Sequence, residues 1–241
     1  MRFLVVNDDG INAEGIKHLA KWAMQYGEVT VIAPAVEQSG KSHAIDFLNP
    51  IEIKRVDFLD GVEAWSMAST PADCVRFGVV GLHRTYDLVI SGINRGVNMS
   101  GDIIYSGTMG AIFEAGNQHH RGIAFSTTPE NLEGCVKYLD EAYNFILENG
   151  LFEFSDLYNV NIPEEVKGIK ITKQGDGFFS DAFYKIDENT YTQHGELIAD
   201  SCPEDKNRDT IAFGEGFISV TPMTKERTHI PAFEELKKRG F

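Results

Sequence analysis

Apolar residues fall along the first half of the chain in short unbroken runs, separated by stripes of helical period. Phe3-Leu4-Val5-Val6 is bounded by Asn7-Asp8-Asp9-Gly10 and predicts a buried strand. Ile16, Leu19, Ala20, Ala23 and Met24 then share one helix face, which ends near Gly27. Val29-Thr30-Val31-Ile32-Ala33 predicts a second strand, stopped by Pro34. Strands that are continuously apolar rather than alternating belong to a parallel sheet covered on both faces. After a polar loop over 34–50, short strands are expected near 51–54 and 62–66. Thr70-Pro71-Ala72-Asp73 has the hydroxyl cap, first-position proline and first-turn acid of a helix start. Leu88-Val89-Ile90-Ser91 reads as a strand, followed by a glycine-rich loop to Gly107 and a helix of small residues over 108–115. Ile123-Ala124-Phe125-Ser126 is another strand, and 131–148 a single helix with Leu132, Val136, Leu139, Tyr143, Ile146 and Leu147 on one side. Beyond residue 155 strand-like pieces dominate (157–162, 168–173, 183–186, 217–221), before a final helix from Pro231 to Arg239. The expected fold is α/β: a Rossmann-like, doubly wound, mainly parallel sheet in three layers over residues 1–150. A β-rich extension with a C-terminal helix follows over 151–241 and adds to that core.

Composition narrows the class. The 241 residues are 42% hydrophobic and 24% charged, which suits a globular protein and not a disordered one. A net charge of −14 argues against a general nucleic-acid binder, which must neutralise phosphates with Lys and Arg. Residues 130–209 hold 18 acids against 7 bases and predict a strongly solvated surface. Cys74, Cys135 and Cys202 are widely spaced and odd in number, so neither a disulfide framework nor a zinc site is expected, and a cytoplasmic location fits best. Only four apolar residues in a row precede Asn7-Asp8-Asp9, too few for a signal peptide, and no run approaches a membrane span.

In open α/β sheets ligands bind outside the carboxyl ends of the strands. That rule selects three loops: Asn7–Asn12, Pro34–His43 and Ser91–Thr108. In the first, Asp8 and Asp9 share a site only if the strand has already ended, and Gly10 permits that turn. Two adjacent carboxylates then repel each other unless a cation or a proton intervenes; the alternative is an Asx-turn with a helix N-cap. No GxGxxG is present, which disfavours a dinucleotide site. The second loop offers Ser39 beside Gly40. The third, Ser91-Gly92-Ile93-Asn94-Arg95-Gly96-Val97-Asn98 and then Tyr105-Ser106-Gly107-Thr108, combines glycines with amides and hydroxyls and ends where a helix begins, a favourable place for an anion.

Those blocks, with Ala33-Pro34 and Thr70-Pro71-Ala72-Asp73-Cys74-Val75, resemble the SurE survival-protein family in order from residue 1 to about 126, and more loosely to the end. The resemblance implies a metal-dependent phosphatase acting on nucleoside 5′-monophosphates. The alternatives are activity mainly on 3′-nucleotides or short polyphosphate, or a non-catalytic nucleotide-binding regulator. Carried over by motif, the metal ligands are Asp8, Asp9, Ser39 and Asn94, for one Mg²⁺ or Mn²⁺ per subunit. This all-oxygen set suits such hard cations. Ser39, Asn98, Ser106, Gly107 and Thr108 are the expected phosphate ligands, and Asp8 or Asp9 the general base. His43, Arg227 and His229 are placed by nothing in the sequence. Asp46 stands where the family usually has threonine, which bears on substrate preference. The aromatics Phe178, Phe179, Phe183, Tyr184 and Tyr191 suggest packing in the core or between subunits. The resemblance implies a homodimer or homotetramer formed by exchange of the 155–241 segment. No nucleic-acid or membrane partner is expected.

Overall fold

The computed structural model describes residues 1–176, 180, 182–196, 198 and 200–241. In chain order it has β1 (Arg2–Val6), α1 (Glu14–Ala23), β2 (Glu28–Pro34), β3 (Ile53–Val56), β4 (Glu63–Met67), α2 (Pro71–Arg76), β5 (Leu88–Arg95), α3 (Gly107–Asn117) and β6 (Gly122–Thr127). There follow α4 (Leu132–Lys137), α5 (Leu139–Glu148), β7 (Leu157–Ile162), β8 (Ile169–Ile171), β9 (Ala182–Lys185), β10 (Tyr191–His194), α6 (Asp209–Gly214), β11 (Ile218–Met223) and α7 (Ile230–Lys238).

Nine strands form one sheet in the order β3-β4-β2-β1-β5-β6-β7-β11-β8. From β4 to β7 every neighbouring pair is parallel. The chain therefore winds outward from β1 through β2 to β4, returns to β5 on the other flank of β1, and winds outward again. The point where the direction reverses lies between β1 and β5, and the carboxyl ends there open a crevice. Antiparallel β3 closes one edge. At the other edge β11 runs antiparallel to β7, with β8 parallel beside it. The same sheet therefore runs from residues before 150 into residues beyond it.

Alternate residues of β1 face opposite layers, as a strand period of two requires. Phe3 and Val5 pack with Ile16, Leu19 and Trp22 of α1 and Leu139, Tyr143 and Ile146 of α5. Leu4 and Val6 pack with Cys74 and Val75 of α2 and Met109 and Ile112 of α3. At the expected start of α2, Thr70 Oγ1 accepts from the Asp73 N–H at 3.2 Å and Pro71 takes the first position. Loss of such a cap costs about 1 kcal/mol.

Three expectations need correction. The single helix over 131–148 is two helices, because Tyr138 leaves the helical region at φ −109° and ψ 4°. With that break, Asp140 accepts from Trp22 Nε1 at 2.7 Å and from the Tyr26 hydroxyl at 2.6 Å. The extension holds a further strand, β10, paired with β9 in a hairpin apart from the main sheet. Its residues are mostly exposed and polar, so no apolar run announces it. The small-residue helix also runs longer than expected, to Asn117. Among the described residues the three cysteines are free, and no helix is long and apolar enough to cross a membrane.

Candidate active site

At the end of β1 the chain turns at once. Asn7 Nδ2 donates to the Gly10 carbonyl at 2.9 Å, and the Gly10 N–H donates back to Asn7 Oδ1 at 3.2 Å. Gly10 has φ +98°, a conformation other residues adopt only with strain. Asn7 alone makes this closure, and α1 begins without a side-chain cap. Asp8 and Asp9 are thus needed neither by the turn nor by the helix.

Asp8 is 4% exposed. Its Oδ1 accepts from the Thr108 hydroxyl at 2.6 Å and its Oδ2 from the Thr108 N–H at 3.1 Å. Gly107 is pressed so close that a Cβ there would stand 2.8 Å from Asp8 Cβ. The amino end of α3 therefore abuts the carboxylate. From the other side the Gln38 N–H donates to the Asp8 main-chain carbonyl at 2.7 Å. Burial pushes the Asp8 carboxyl above its usual range, while the two Thr108 hydrogen bonds pull it down and the charge of Glu37 adds to the rise. Burial also pushes Asp9 up, to about 6, and the Asp8 charge works in the same direction against a hydrogen bond from the Arg95 main chain.

Asp9 Oδ2 is buried with no hydrogen-bond partner. An ionised oxygen in that state is costly unless a cation meets it. Among the described residues no group of three or more His, Cys, Asp or Glu side chains is arranged to hold a metal. The segments that carry the two expected neutral oxygens touch this pair, through the Gln38 N–H on the Asp8 carbonyl and the Arg95 main chain on Asp9. Asn94 precedes Arg95, whose main chain reaches Asp9, and its Nδ2 donates to the Gly96 carbonyl at 2.7 Å. Ser39 follows Gln38, is exposed, and donates its hydroxyl to Glu37 at 2.7 Å. The donor set fits a hard divalent ion.

The expected phosphate residues divide in their contacts. Ser106 caps α3, its hydroxyl accepting from the Met109 N–H at 3.1 Å. The Thr108 hydroxyl, expected on phosphate, is held by Asp8. Asn98 is buried and donates from Nδ2 to Ser126 Oγ at 2.8 Å. Its carbonyl accepts from Asn159 Nδ2 at 2.7 Å and Asn161 Nδ2 at 2.9 Å, and its N–H donates to Asn161 Oδ1 at 2.8 Å. Asn159 and Asn161 are fully buried, and the sequence reading missed them. Their signal was available, since two amides at alternate positions of an otherwise apolar strand share one face of the sheet.

Other candidates lie elsewhere. His43 Nε2 is 2.8 Å from Glu114 Oε2, and His229 Nδ1 accepts from Ala232 N at 3.0 Å to cap α7. Arg227 lines a groove with Ile103, Ile104 and Met223. Asp46 accepts from the N–H groups of Leu48 and Asn49 and so shapes its own turn. Phe178 and Phe179 lie outside the described residues.

The chain is similar to known proteins along nearly its whole length. The family model described as survival protein SurE matches residues 3–181. Proteins named 5′-nucleotidase SurE are similar along nearly the whole chain. One from Petrotoga mobilis is 36% identical, covering 98% of each chain. One from Alkaliphilus metalliredigens is 37% identical, again with 98% of each covered. The crystal structure of the SurE protein from Aquifex aeolicus is 33% identical, covers all of both chains and superposes with a TM-score of 0.82. A family match over most of the chain and a shared full-length fold place this chain in the SurE survival-protein family.

Proposed function

We propose that the protein is a divalent-metal-dependent phosphatase that hydrolyses nucleoside 5′-monophosphates to nucleoside and phosphate. The observation that carries this reading is the Asp8–Asp9 pair, with Asp8 buried against the amino end of α3 and one buried Asp9 oxygen without a hydrogen-bond partner. Asp8, Asp9, Ser39 and Asn94 would hold one Mg²⁺ or Mn²⁺. When bound, the cation supplies Lewis-acid stabilisation of the charge that builds on the phosphoryl oxygens. A non-catalytic anion binder fits less well, because two carboxylates repel a phosphate.

The remaining work falls to the chain itself. Thr108 fixes the rotamer of Asp8 through both its N–H and its hydroxyl. Asn98, with Ser106 and Gly107 at the amino end of α3, would orient the phosphate, and the helix amino end favours its negative charge. Asp8 or Asp9 would take the proton of the attacking water. The names of the relatives support the 5′-nucleotide as substrate.

The same reading includes a homo-oligomer. α7 buries none of its residues, leaving Ile230, Phe233 and Leu236 about half exposed and Phe241 beyond it 90% exposed. Phe183, Tyr184 and Tyr191 of the β9–β10 hairpin are likewise in solvent. Covering such surface in a dimer or tetramer recovers about 25 cal/mol per Å².

Phosphate release should be screened over 5′-monophosphates, 3′-monophosphates and short polyphosphate, with and without Mg²⁺, Mn²⁺ and Co²⁺. The reading requires metal-dependent release, greatest with the 5′-monophosphates. No release with any cation would refute it, and preference for polyphosphate would replace the substrate.

A further inference from the structure

The segment between β2 and β3, which carries Ser39, has no helix or strand over residues 37–50, yet it is seated firmly on α3. Gly107, Gly110 and Glu114 are three and four residues apart and line one face of that helix. At Gly107 a Cβ would stand 3.2 Å from the Gln38 carbonyl oxygen. At Gly110 it would stand 2.1 Å from the Ser42 carbonyl oxygen, so the loop backbone occupies the space a side chain would fill. Ser42 donates from its N–H to the Tyr105 carbonyl at 2.9 Å and from its hydroxyl to the Ile104 carbonyl at 2.6 Å. One turn further along α3, Glu114 takes His43.

Glu114 is 3% exposed, among the fully buried Ile112, Ala111 and Ala115. A carboxylate in such a place is unfavourable unless its oxygens are well partnered. It is: His43 Nε2 at 2.8 Å, Gln118 Nε2 at 2.7 Å, Arg76 Nη1 at 3.1 Å and Asn117 Nδ2 at 3.3 Å. Burial alone would raise the carboxyl, but the hydrogen bonds from His43, Gln118 and Asn117 outweigh it and hold the group down at about 2. Packing against α2 and the sheet requires no such charge. The partner it gains from outside the helical layer is His43, four residues from Ser39.

We propose that Glu114 is a positioning residue for metal binding, holding His43 so that the loop stays seated on α3 and Ser39 stays within reach of Asp8 and Asp9. This rests on the reading of Asp8, Asp9, Ser39 and Asn94 as metal ligands. Groups that orient metal ligands typically cost about 10- to 100-fold in metal affinity when removed.

The test is direct Mn²⁺ binding to metal-free, full-length protein, followed by electron paramagnetic resonance with no substrate present. His43→Ala should weaken Mn²⁺ by about 10- to 100-fold and recover activity at saturating Mn²⁺. His43→Gln, which keeps a donor, should restore much of the affinity. Glu114→Gln, which keeps the shape and removes the charge that holds His43, should weaken Mn²⁺ like His43→Ala and carries the test if the alanine variant does not fold. Arg76→Ala removes a donor to the same carboxylate from α2 rather than from the loop, and should bind Mn²⁺ like the wild type. Wild-type affinity in His43→Ala and Glu114→Gln, or an equal loss in Arg76→Ala, overturns the proposal. Ser39→Ala measured beside them separates the two layers. If it binds normally, the ligand reading and the proposal fall together. If it weakens binding while His43→Ala and Glu114→Gln do not, only the role of Glu114 falls.

Discussion

The Asp8–Asp9 pair should make the metal-free protein less stable than it would be without it, and removing one charge should reveal this. Asp9 moves from its ordinary value of 3.8 to about 6 in the folded chain, first through burial and then through the Asp8 charge. Between those two values the folded protein keeps a proton that the unfolded chain has released. The stability contributed by this group is therefore present at low pH and is lost as pH rises through about 6. A gap of about two pH units corresponds to about 3 kcal/mol. Asp9 is partly open to solvent, so about 1–3 kcal/mol is the expected range. Asp9→Asn keeps the shape and removes the charge. In chelator it should stabilise the protein by that amount near pH 8, by less near pH 5, and by almost nothing near pH 4. Urea unfolding at fixed protein concentration, followed by circular dichroism, measures it. For a chain of this size each kcal/mol moves the melting temperature by roughly 2–4 °C. With saturating Mn²⁺ the order should invert, because the wild type alone gains binding free energy. No gain near pH 8, or a gain equally large near pH 5, would refute the electrostatic reasoning. Equal stabilisation of both proteins by Mn²⁺ would refute the assignment of Asp9 as a ligand.

Chelator-treated protein should be inactive toward nucleoside 5′-monophosphates and recover with Mn²⁺ or Mg²⁺; full activity after metal removal verified by elemental analysis would sink the metal reading. Thr108→Val removes a hydrogen bond to a carboxylate, about 1.5–3 kcal/mol, and should weaken Mn²⁺ binding measured directly. If Mn²⁺ affinity holds while inhibition by phosphate weakens, the hydroxyl serves phosphate instead. Light scattering at micromolar concentration should find a dimer or tetramer, and Phe233→Asp with Leu236→Asp should shift it toward monomer; a wild-type monomer contradicts the exposed face of α7 as an interface. Single turnover in ¹⁸O-water with excess enzyme should label the released phosphate and not the protein, since both Asp8 oxygens are engaged by Thr108; label in an Asp8 or Asp9 peptide would make that aspartate the nucleophile.

What the sequence made legible follows from burial. β1, β2, β5, β6 and β7 are covered on both faces and stand out by their apolar residues, an unbroken run in β1 and one interrupted by Asn159 and Asn161 in β7. β10 is exposed, and its Tyr-Thr-Gln-His has no periodic signal to read. The break at Tyr138 was hidden for a different reason. The apolar stripe continues through it with nearly helical spacing, and what distinguishes it is the meeting of Asp140 with Trp22 and Tyr26 more than a hundred residues earlier.

The candidate site divides along the same line. Asp8 and Asp9 could be placed because the end of a buried strand fixes where adjacent side chains emerge. Thr108 could be placed near them because a helix start follows β5. What its hydroxyl does could not, because the choice between phosphate and Asp8 depends on how closely α3 approaches β1, and Gly107 sets that approach across a hundred residues of chain. Glu114 is the stronger case. In the sequence it is one acid in a helix of small residues, and nothing local separates it from a solvated surface glutamate. Its meaning comes from His43, 71 residues away, arriving over a bare patch of helix at Gly110. Residues that meet a ligand are readable when local backbone geometry aims them. Residues that aim other residues act through long-range polar contacts, and these exist only once the layers have packed.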